Sequence, residues 1–337
     1  MLLCGTVLIT SVLYAAIVLI GDLEYFEDTF LDHASYYLTY GLWDRFERTV
    51  VTFCGPRGGQ ALEALQSACS SPKNPLGQLT FLFLYAGCVW GVQYELVPRL
   101  GASQSLSFHA VAGGAWPLLV LLLYGLVCYS DPGIITDSTL EQFRDMFPPD
   151  GRVRAEKHCE TCKRLRPCRA KHCNMVGSCV ALYDHYCIWV RNSIGFYNMR
   201  LFMLFLLVTG LACTHGAVVG LLVIREDAAR KGFLDALSSR TRCSGCPSYI
   251  ALLVRLVANK YRNLAALVSF LTVCALFTLT FLVLQLYQVI SGITTYESIK
   301  MRGMNVRVHN HGAGLANLVR LLRPARALQG HGKSKCI

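Results

Sequence analysis

Long apolar stretches alternate with polar segments along this chain of 337 residues. Five apolar stretches are about as long as a membrane span: residues 2–20, about 80–97, about 106–129, about 201–224 and about 264–290. A helix rises about 1.5 Å per residue, so about 20 apolar residues cross the hydrocarbon core of a bilayer. The pattern predicts an all-α polytopic membrane protein with about five transmembrane helices.

The first stretch has a second interpretation, because an apolar N-terminal segment can also be a signal peptide. A signal peptide usually begins with positive charge, whereas no Lys or Arg precedes Arg45. An uncleaved span is therefore favoured.

The polar segments between the spans complete the expected organisation. A turn over residues 98–104 joins the second and third spans, and the stretch 55–59 breaks an extramembrane region that has room for an interfacial helix. The predicted order is residues 1–20, first span; 21–75, cytosolic loop region; 76–130, second and third spans; 131–200, cytosolic cysteine-rich domain; 201–224, fourth span; 225–263, lumenal loop; 264–290, fifth span; 291–337, cytosolic tail.

The composition agrees with membrane insertion. Hydrophobic residues make up 53% of the chain, charged residues only 16%, and the mean hydropathy is +0.41. The net charge of +11 could indicate nucleic-acid binding, but no basic helix or RNA-binding motif accompanies it. We expect no nucleic-acid partner.

Many of the 16 cysteines cluster in one polar segment between the third and fourth spans. Cys159 and Cys162 form a CxxC pair, His172-Cys173 follows, and Cys179 and Cys187 close the group. This spacing is typical of zinc ligands, which bind as thiolates and neutral imidazoles in a tetrahedron. Thiolates require a reducing compartment, so the cluster predicts a cytosolic zinc-binding domain. The alternative is a set of buried apolar cysteines.

The tetrapeptide Asp184-His185-Tyr186-Cys187 suggests a reactive thiol. A histidine beside a cysteine can take the thiol proton, and a carboxylate can fix the tautomer and orientation of the imidazole. We therefore interpret Cys187 as a nucleophile, His185 as its base and Asp184 as the residue that orients the base.

In this context the segment resembles the signature of the DHHC protein S-acyltransferases (palmitoyltransferases), in a DHYC variant. Two flanking motifs also resemble this family: Asp131-Pro132-Gly133 before the domain and Thr294-Thr295-Tyr296-Glu297 after the fifth span. Three spans before the domain resemble the five-span branch, and Asn317 falls near a C-terminal asparagine of the family. The matching positions are Cys159, Cys162, Arg166, Pro167, Arg169, His172, Cys173, Cys179, Asp184, His185, Cys187, Trp189, Asn192, Gly195, Asn198 and Phe202.

The resemblance implies two zinc sites in the family, of which this chain keeps one. The ligands of the retained site are Cys159, Cys162, His172 and Cys179. The second site would need four residues, but only Cys173 is present, and the other positions hold Val176, Tyr186 and Ser193. We expect one structural zinc ion, with packing around these replacements holding the Cys187 loop. DHYC members are considered active, so the loss concerns a structural ligand and not the base.

The resemblance also implies the reaction. A long-chain acyl-CoA such as palmitoyl-CoA would acylate Cys187, and the acyl group would then pass to membrane-proximal cysteines of substrate proteins. Arg164, Arg166 and Arg169 are candidates for binding the CoA headgroup, although they could equally support the zinc fold. A membrane scaffold without transfer activity is the alternative, and a channel or metal transporter is disfavoured because the spans carry almost no charge.

Charge supports a cytosolic active site facing membrane lipids. Most of the 32 Lys and Arg residues fall in the segments predicted to be cytosolic, although the loop 225–263 is also basic. The ending KSKCI has the form of a dilysine retrieval signal and predicts endoplasmic reticulum or Golgi membranes, while a basic tail on anionic lipid is the alternative. If the loop is lumenal, Cys243 and Cys246 could pair oxidatively.

Overall fold

A computed structural model describes residues 41–69, 74–101, 108–149, 155–233 and 249–302, with a few single positions elsewhere, Asn317 among them. The first predicted span, Cys243, Cys246 and the last five residues lie outside these ranges. The elements, numbered within the described residues, are α1 Leu42–Cys69, α2 Leu76–Gly91, α3 Phe108–Tyr129, α4 Leu140–Met146, β1 Lys157–Cys159, β2 Arg164–Arg166, β3 Lys171–Cys173, β4 Ser178–Val180, β5 His185–Cys187, β6 Asn192–Ile194, α5 Met199–Arg230, α6 Tyr249–Lys260, α7 Arg262–Ser291 and α8 Thr295–Arg302.

Within the described residues, four helical stretches are long and apolar enough to cross a membrane: Leu76–Leu100, Val111–Tyr129, Met199–Arg230 and Arg262–Ser291. They agree with the second to fifth predicted spans. The fourth predicted span, residues 201–224, corresponds to α5. This helix is longer than expected, because it continues to Arg230 and includes the first residues of the predicted loop. A mostly helical protein with four candidate membrane helices is therefore what the structure shows.

The prediction of a turn that begins at Pro98 is wrong, because residues Val97–Gly101 are helical. After Gly91 the chain forms a π-helical turn, Val92–Leu96, and a further helical turn, Val97–Gly101. A proline ring normally clashes with a carbonyl group one turn earlier, and the wider π turn just before Pro98 relieves that crowding. The helix therefore passes through the proline and reaches Gly101.

The predicted break in the extramembrane region is a kink inside α1. Gly55 has φ 67° and ψ −169°, a left-handed backbone that glycine adopts without steric cost. Pro56 follows and begins the second part of the helix, where its missing N–H leaves no donor unpaired. The sequence therefore predicted the break but not the helices on both sides of it.

The described residues pack as two compact units, and each of the four long helices contributes to both. In the first unit, α5 and α7 approach closely along a row of glycines. A Cβ at Gly210 or Gly220 would lie 2.5 Å from Leu279 or 2.3 Å from Val268. Small residues of this kind let membrane helices pack backbone against backbone. A buried cluster that includes Leu96, Val219 and Leu264 adds to this core.

The second unit contains the cysteine-rich domain, built from three antiparallel hairpins: β1–β2, β3–β4 and β5–β6. Each first strand ends at a cysteine, Cys159, Cys173 or Cys187, and these recur every 14 residues. The fourth loop residue of each hairpin has positive φ, at Lys163, Gly177 and Arg191. The domain is therefore a threefold repeat of one hairpin, a β feature that the all-α prediction did not include.

Candidate active site and metal centre

The first two hairpins bring the four predicted zinc ligands together. The ligand atoms of Cys159, Cys162, His172 and Cys179 all lie within 4.8 Å of one another. Zinc–sulfur bonds of about 2.3 Å in a tetrahedron place two sulfurs about 3.8 Å apart. The Sγ atoms of Cys162 and Cys179 are 3.8 Å apart, and Nδ1 of His172 is 3.2 and 3.9 Å from them. This donor set fits one zinc ion with four protein ligands.

Three of the positions that correspond to the second zinc site of the family are packed in one side-chain cluster. Cys173 is buried with Val180 and Tyr183, and Val176 and Tyr186 pack against them. Burial raises the pKa of the Tyr183 hydroxyl, and nearby Cys173 adds to this effect. Among the described residues, the only group with metal-binding geometry is the first one.

A lysine joins this cluster to α8. Nζ of Lys171 lies 5.1 Å from the ring centre of Tyr183 and 4.3 Å from that of Tyr296. The two rings meet edge to face with centres 5.7 Å apart. Cation–π contacts of this kind stabilise by about 0.5–2 kcal/mol, so they attach the second hairpin to the segment after α7.

The third hairpin carries the candidate nucleophile and base. Asp184 precedes β5, and its backbone N–H donates to the carbonyl of Ile194 on β6. Nδ1 of His185 is 2.8 Å from Oδ2 of Asp184, and the imidazole also hydrogen-bonds to the side chain of Cys187. Cys187 is 7% exposed. One short hairpin therefore places a buried thiol, an imidazole and a carboxylate in series.

The pKa of His185 is raised to about 9. Burial lowers it, but the hydrogen bonds and charges of Asp184 and Cys187 outweigh burial and favour the imidazolium. At neutral pH, His185 can therefore hold the proton that leaves Cys187.

Asp184 is almost completely buried, with 2% exposure, and its carboxylate accepts several hydrogen bonds. The backbone N–H of Thr295 donates to Oδ1 at 2.6 Å, and its hydroxyl donates to Oδ2 at 3.0 Å. Nε2 of Gln285 is 3.3 Å from Oδ2. Donors of this kind stabilise the ionised carboxylate in a site where an unpaired charge would be costly.

Contacts with α2 and α3 hold the third hairpin. Nδ2 of Asn192 donates to the carbonyls of Val127 and Ser130 at 3.0 and 2.8 Å and so caps the end of α3. The Tyr124 hydroxyl donates to the carbonyl of Trp189 at 3.1 Å. A Cβ at Gly77 of α2 would lie 2.6 Å from the carbonyl oxygen of Ile188. The loop after Cys187 therefore lies directly against the ends of two membrane helices.

Comparison with known proteins agrees with this geometry. Residues 153–302 match the family model described as DHHC palmitoyltransferase. Residues 153–302 are thus similar to the DHHC family. The chain is 32% identical over 182 residues to palmitoyltransferase SWF1 of Yarrowia lipolytica, covering 52% of this chain and 46% of that protein. It is 35% identical over 127 residues to mouse palmitoyltransferase ZDHHC4, covering 34% and 35%. The chain thus spans less than half the length of these relatives.

Arg169 of the cysteine-rich domain forms a buried ion pair with Glu297. Its guanidinium donates to both carboxylate oxygens of Glu297, at 2.7 and 2.6 Å, and to the carbonyl of Gly292 at 2.9 Å. The Arg169 side chain is only 3% exposed. The guanidinium is therefore buried in an ion pair, and the contact of Arg169 with a CoA headgroup stays a prediction.

The other two arginines of the DHHC domain are more accessible. Nη1 of Arg164 donates to the carbonyl of Ile135 at 2.9 Å, but 31% of its side chain is exposed. Arg166 is also partly exposed on β2. Either can still face a ligand in solution.

Glu297 also closes a capping box at the start of α8. Its carboxylate accepts from the backbone N–H of Thr294, whose hydroxyl accepts from the backbone N–H of Glu297. Asn317, 3% exposed, donates from Nδ2 to the carbonyl of Ile290 at 3.3 Å, near the end of α7. Asn317 is therefore joined to the end of α7 by one hydrogen bond.

Sequence reasoning missed several residues around the DHHC motif. Phe202 is one of the positions that match the family signature, whereas Phe281 is not. Both rings meet the imidazole of His185 edge to face, with ring centres 5.5 and 6.1 Å away. Thr295 had been quoted only as part of a motif, and Gln285 had not been noticed. One signal was available: Gln285 and Gln288 are two amides inside a largely apolar span, where polar side chains are expensive and usually functional.

Proposed function

We propose that this chain is a protein S-acyltransferase that moves a long-chain acyl group, such as palmitoyl, from acyl-CoA to cysteines of substrate proteins. The observation that carries this proposal is the hydrogen-bonded series Asp184, His185 and Cys187 on one hairpin. The match of residues 153–302 to the DHHC palmitoyltransferase family supports it.

In the first step, Sγ of Cys187 attacks the thioester carbonyl of acyl-CoA. His185 takes the thiol proton, Asp184 stabilises the imidazolium, and the same proton goes to the sulfur of the departing CoA. In the second step, a substrate cysteine loses its proton to His185 and attacks the acyl-enzyme thioester. The acyl group moves to the substrate, Cys187 leaves as a thiolate, and the proton returns to it. Both steps conserve atoms and charge.

The substrate would be bound by two kinds of contact. An acyl chain buried among the membrane helices gains about 0.8 kcal/mol per CH₂ group. The phosphorylated headgroup would stay outside, where Arg164, Arg166 and Arg169 are the candidates for binding phosphate, the first two being the more exposed. Asp184 and Cys187 are too buried to contact it.

One zinc ion, held by Cys159, Cys162, His172 and Cys179, would supply a rigid cross-link between the first two hairpins. Four protein ligands leave no open position for substrate, so the role would be structural. Catalysis would rest on the third hairpin alone, and the DHYC sequence would be active because Tyr186 lies outside the proton path.

The active site would face the cytosol in a multi-pass membrane protein of five spans. Substrate proteins would present cysteines close to the membrane, because the Cys187 loop lies against the ends of α2 and α3. Location in endoplasmic reticulum or Golgi membranes is part of the same proposal.

The test is acylation of the purified protein by a labelled palmitoyl-CoA analogue, compared with Cys187→Ser. We expect hydroxylamine-sensitive label on the unaltered protein and none on the variant. Cys173→Ser is the matched control, because Cys173 is also buried and also stands at the end of the first strand of its hairpin. The folded fraction of this variant should keep the label. A folded, zinc-loaded protein that takes no label would refute the transferase and favour the scaffold.

A further inference from the structure

Gln285 is an unusual residue for its position. It lies on α7, within a stretch that is apolar enough to cross a membrane, and its side chain is 1% exposed. Burying an amide is unfavourable unless both its ends find partners. The contacts of the two ends therefore show what this amide does.

The nitrogen end faces the active site. Nε2 of Gln285 is 3.3 Å from Oδ2 of Asp184 and 3.5 Å from Oγ1 of Thr295. Oδ2 is also the oxygen that meets Nδ1 of His185 at 2.8 Å. Gln285 therefore contacts the same carboxylate oxygen that orients the imidazole.

The oxygen end is unsatisfied within the part of the chain that the structure describes. There, Oε1 of Gln285 is buried and accepts no hydrogen bond. An unsatisfied buried acceptor is destabilising. Reversing the amide would not help, since the oxygen would then face the Asp184 carboxylate. An apolar side chain of similar volume would avoid this cost, but it would also remove one donor from the buried Asp184 carboxylate.

We propose that Gln285 is a positioning residue for acyl-enzyme formation, holding Oδ2 of Asp184 so that His185 stays aligned with Cys187. The inference rests on the proposed acyl transfer. When the proton moves from the Cys187 thiol to His185, the new imidazolium needs a fixed negative partner. The Gln285 N–H holds the Asp184 carboxylate in place together with the backbone N–H and the hydroxyl of Thr295. Of these donors, the Gln285 N–H belongs to the long helix α7.

The test compares Gln285→Leu with the unaltered protein. The measured quantities are the rate constant of Cys187 acylation at saturating palmitoyl-CoA, the final label per protein, the half-saturating palmitoyl-CoA concentration and the thermal midpoint. We expect a rate constant about tenfold lower, the size of effect that one charge-assisted hydrogen bond allows. The final label and the half-saturating concentration should not change, and the thermal midpoint should change little, because removing the unsatisfied oxygen and removing the donor to Asp184 have opposite effects on stability.

Gln142→Leu is the matched control. Its amide is also on a helix and partly buried, but it lies 3.5 Å from the Tyr197 hydroxyl, away from the candidate site. The same change of side chain there should leave the acylation rate constant unaltered.

A second variant, Gln285→Glu, tests the direction of the hydrogen bond. A protonated carboxyl group can donate to Asp184 as the amide does, whereas an ionised one repels it, and two adjacent carboxylates share one proton. The rate relative to the unaltered protein should therefore fall as pH rises, which Gln285→Leu should not show.

The outcomes separate this inference from the proposed function. If the unaltered protein takes no label, the transferase proposal fails. If it is labelled and Gln285→Leu reacts at the same rate constant, the positioning role is wrong. If Gln285→Leu loses final label and thermal stability together, with the rate constant of the folded fraction unchanged, the amide is merely structural.

Discussion

The ion pair between Arg169 and Glu297 should respond unequally to loss of either partner. The side chains are 3% and 11% exposed, and two hydrogen bonds of 2.7 and 2.6 Å join them. Breaking a buried pair destabilises a protein by about 3–5 kcal/mol, because one charge is left without compensation. Arg169 cannot lose its charge, whereas a carboxyl group can take a proton. The destabilisation caused by Glu297→Gln should therefore lie near the upper end of that range, and the destabilisation caused by Arg169→Met should lie near the lower end.

The assay is the apparent free energy of unfolding of the purified protein in detergent micelles. The double variant Arg169→Met/Glu297→Gln should cost less than the sum of the singles, since no unpaired charge remains. Glu160→Gln is the control: its partner is Lys163, both side chains are more than 70% exposed, and such pairs contribute about 0–1 kcal/mol. The reasoning fails if Glu297→Gln costs no more than this control.

The same variants distinguish the ion pair from CoA binding. If Arg169 contacted a CoA phosphate, Arg169→Met would raise the half-saturating acyl-CoA concentration of the folded fraction, and Glu297→Gln would not. If the pair only stabilises the domain, both variants lower the folded fraction and neither changes that concentration.

Two further predictions concern the metal and the base. The purified protein should contain one zinc ion per chain, and Cys179→Ser should abolish zinc binding and lower the thermal midpoint; a measured content of two ions would contradict the packing at Tyr186. The pKa of His185, about 9 in the folded protein against an ordinary 6.5, means that its charged interactions stabilise fully below about pH 6.5 and are lost as pH rises through 9. The stability difference between the unaltered protein and His185→Gln should therefore shrink from pH 6.5 to 9, and a difference independent of pH would refute the assignment.

The membrane helices were predictable because their signal is local. A run of about 20 apolar residues indicates a span wherever it occurs, so the second to fifth spans were located from composition alone. The exceptions are at the ends. The turn at Pro98 was placed by propensity, but the π turn beside it allows the helix to continue to Gly101.

The hairpins of the DHHC domain were not predicted, because strands of three residues are too short for an alternating pattern to appear. A search for repeats would have found them, since Cys159, Cys173 and Cys187 recur at equal spacing. The four zinc ligands were predictable from residue type and family resemblance, and the structure brings them together.

Partners distant in sequence could not be read from the chain. Thr295 meets Asp184 across 111 positions, and Glu297 meets Arg169 across 128. The sequence showed the motif Thr294-Thr295-Tyr296-Glu297 but not which arginine it would meet, and three arginines were equal candidates for the CoA headgroup. Only the fold shows that Arg169 is buried.

The replaced zinc site raises the question of what fixes the Cys187 hairpin. Zinc would act within the DHHC domain, whereas the contacts seen here attach the hairpin to membrane helices: Asn192 caps α3, and Ile188 lies against Gly77 of α2. The Asp184 end of the hairpin is held in the same way, since Gln285 belongs to α7 and Thr295 follows it directly. The nucleophile is therefore positioned by the helices among which an acyl chain would bind. In such an arrangement a second metal ion is dispensable for alignment, and Tyr186 needs only to pack.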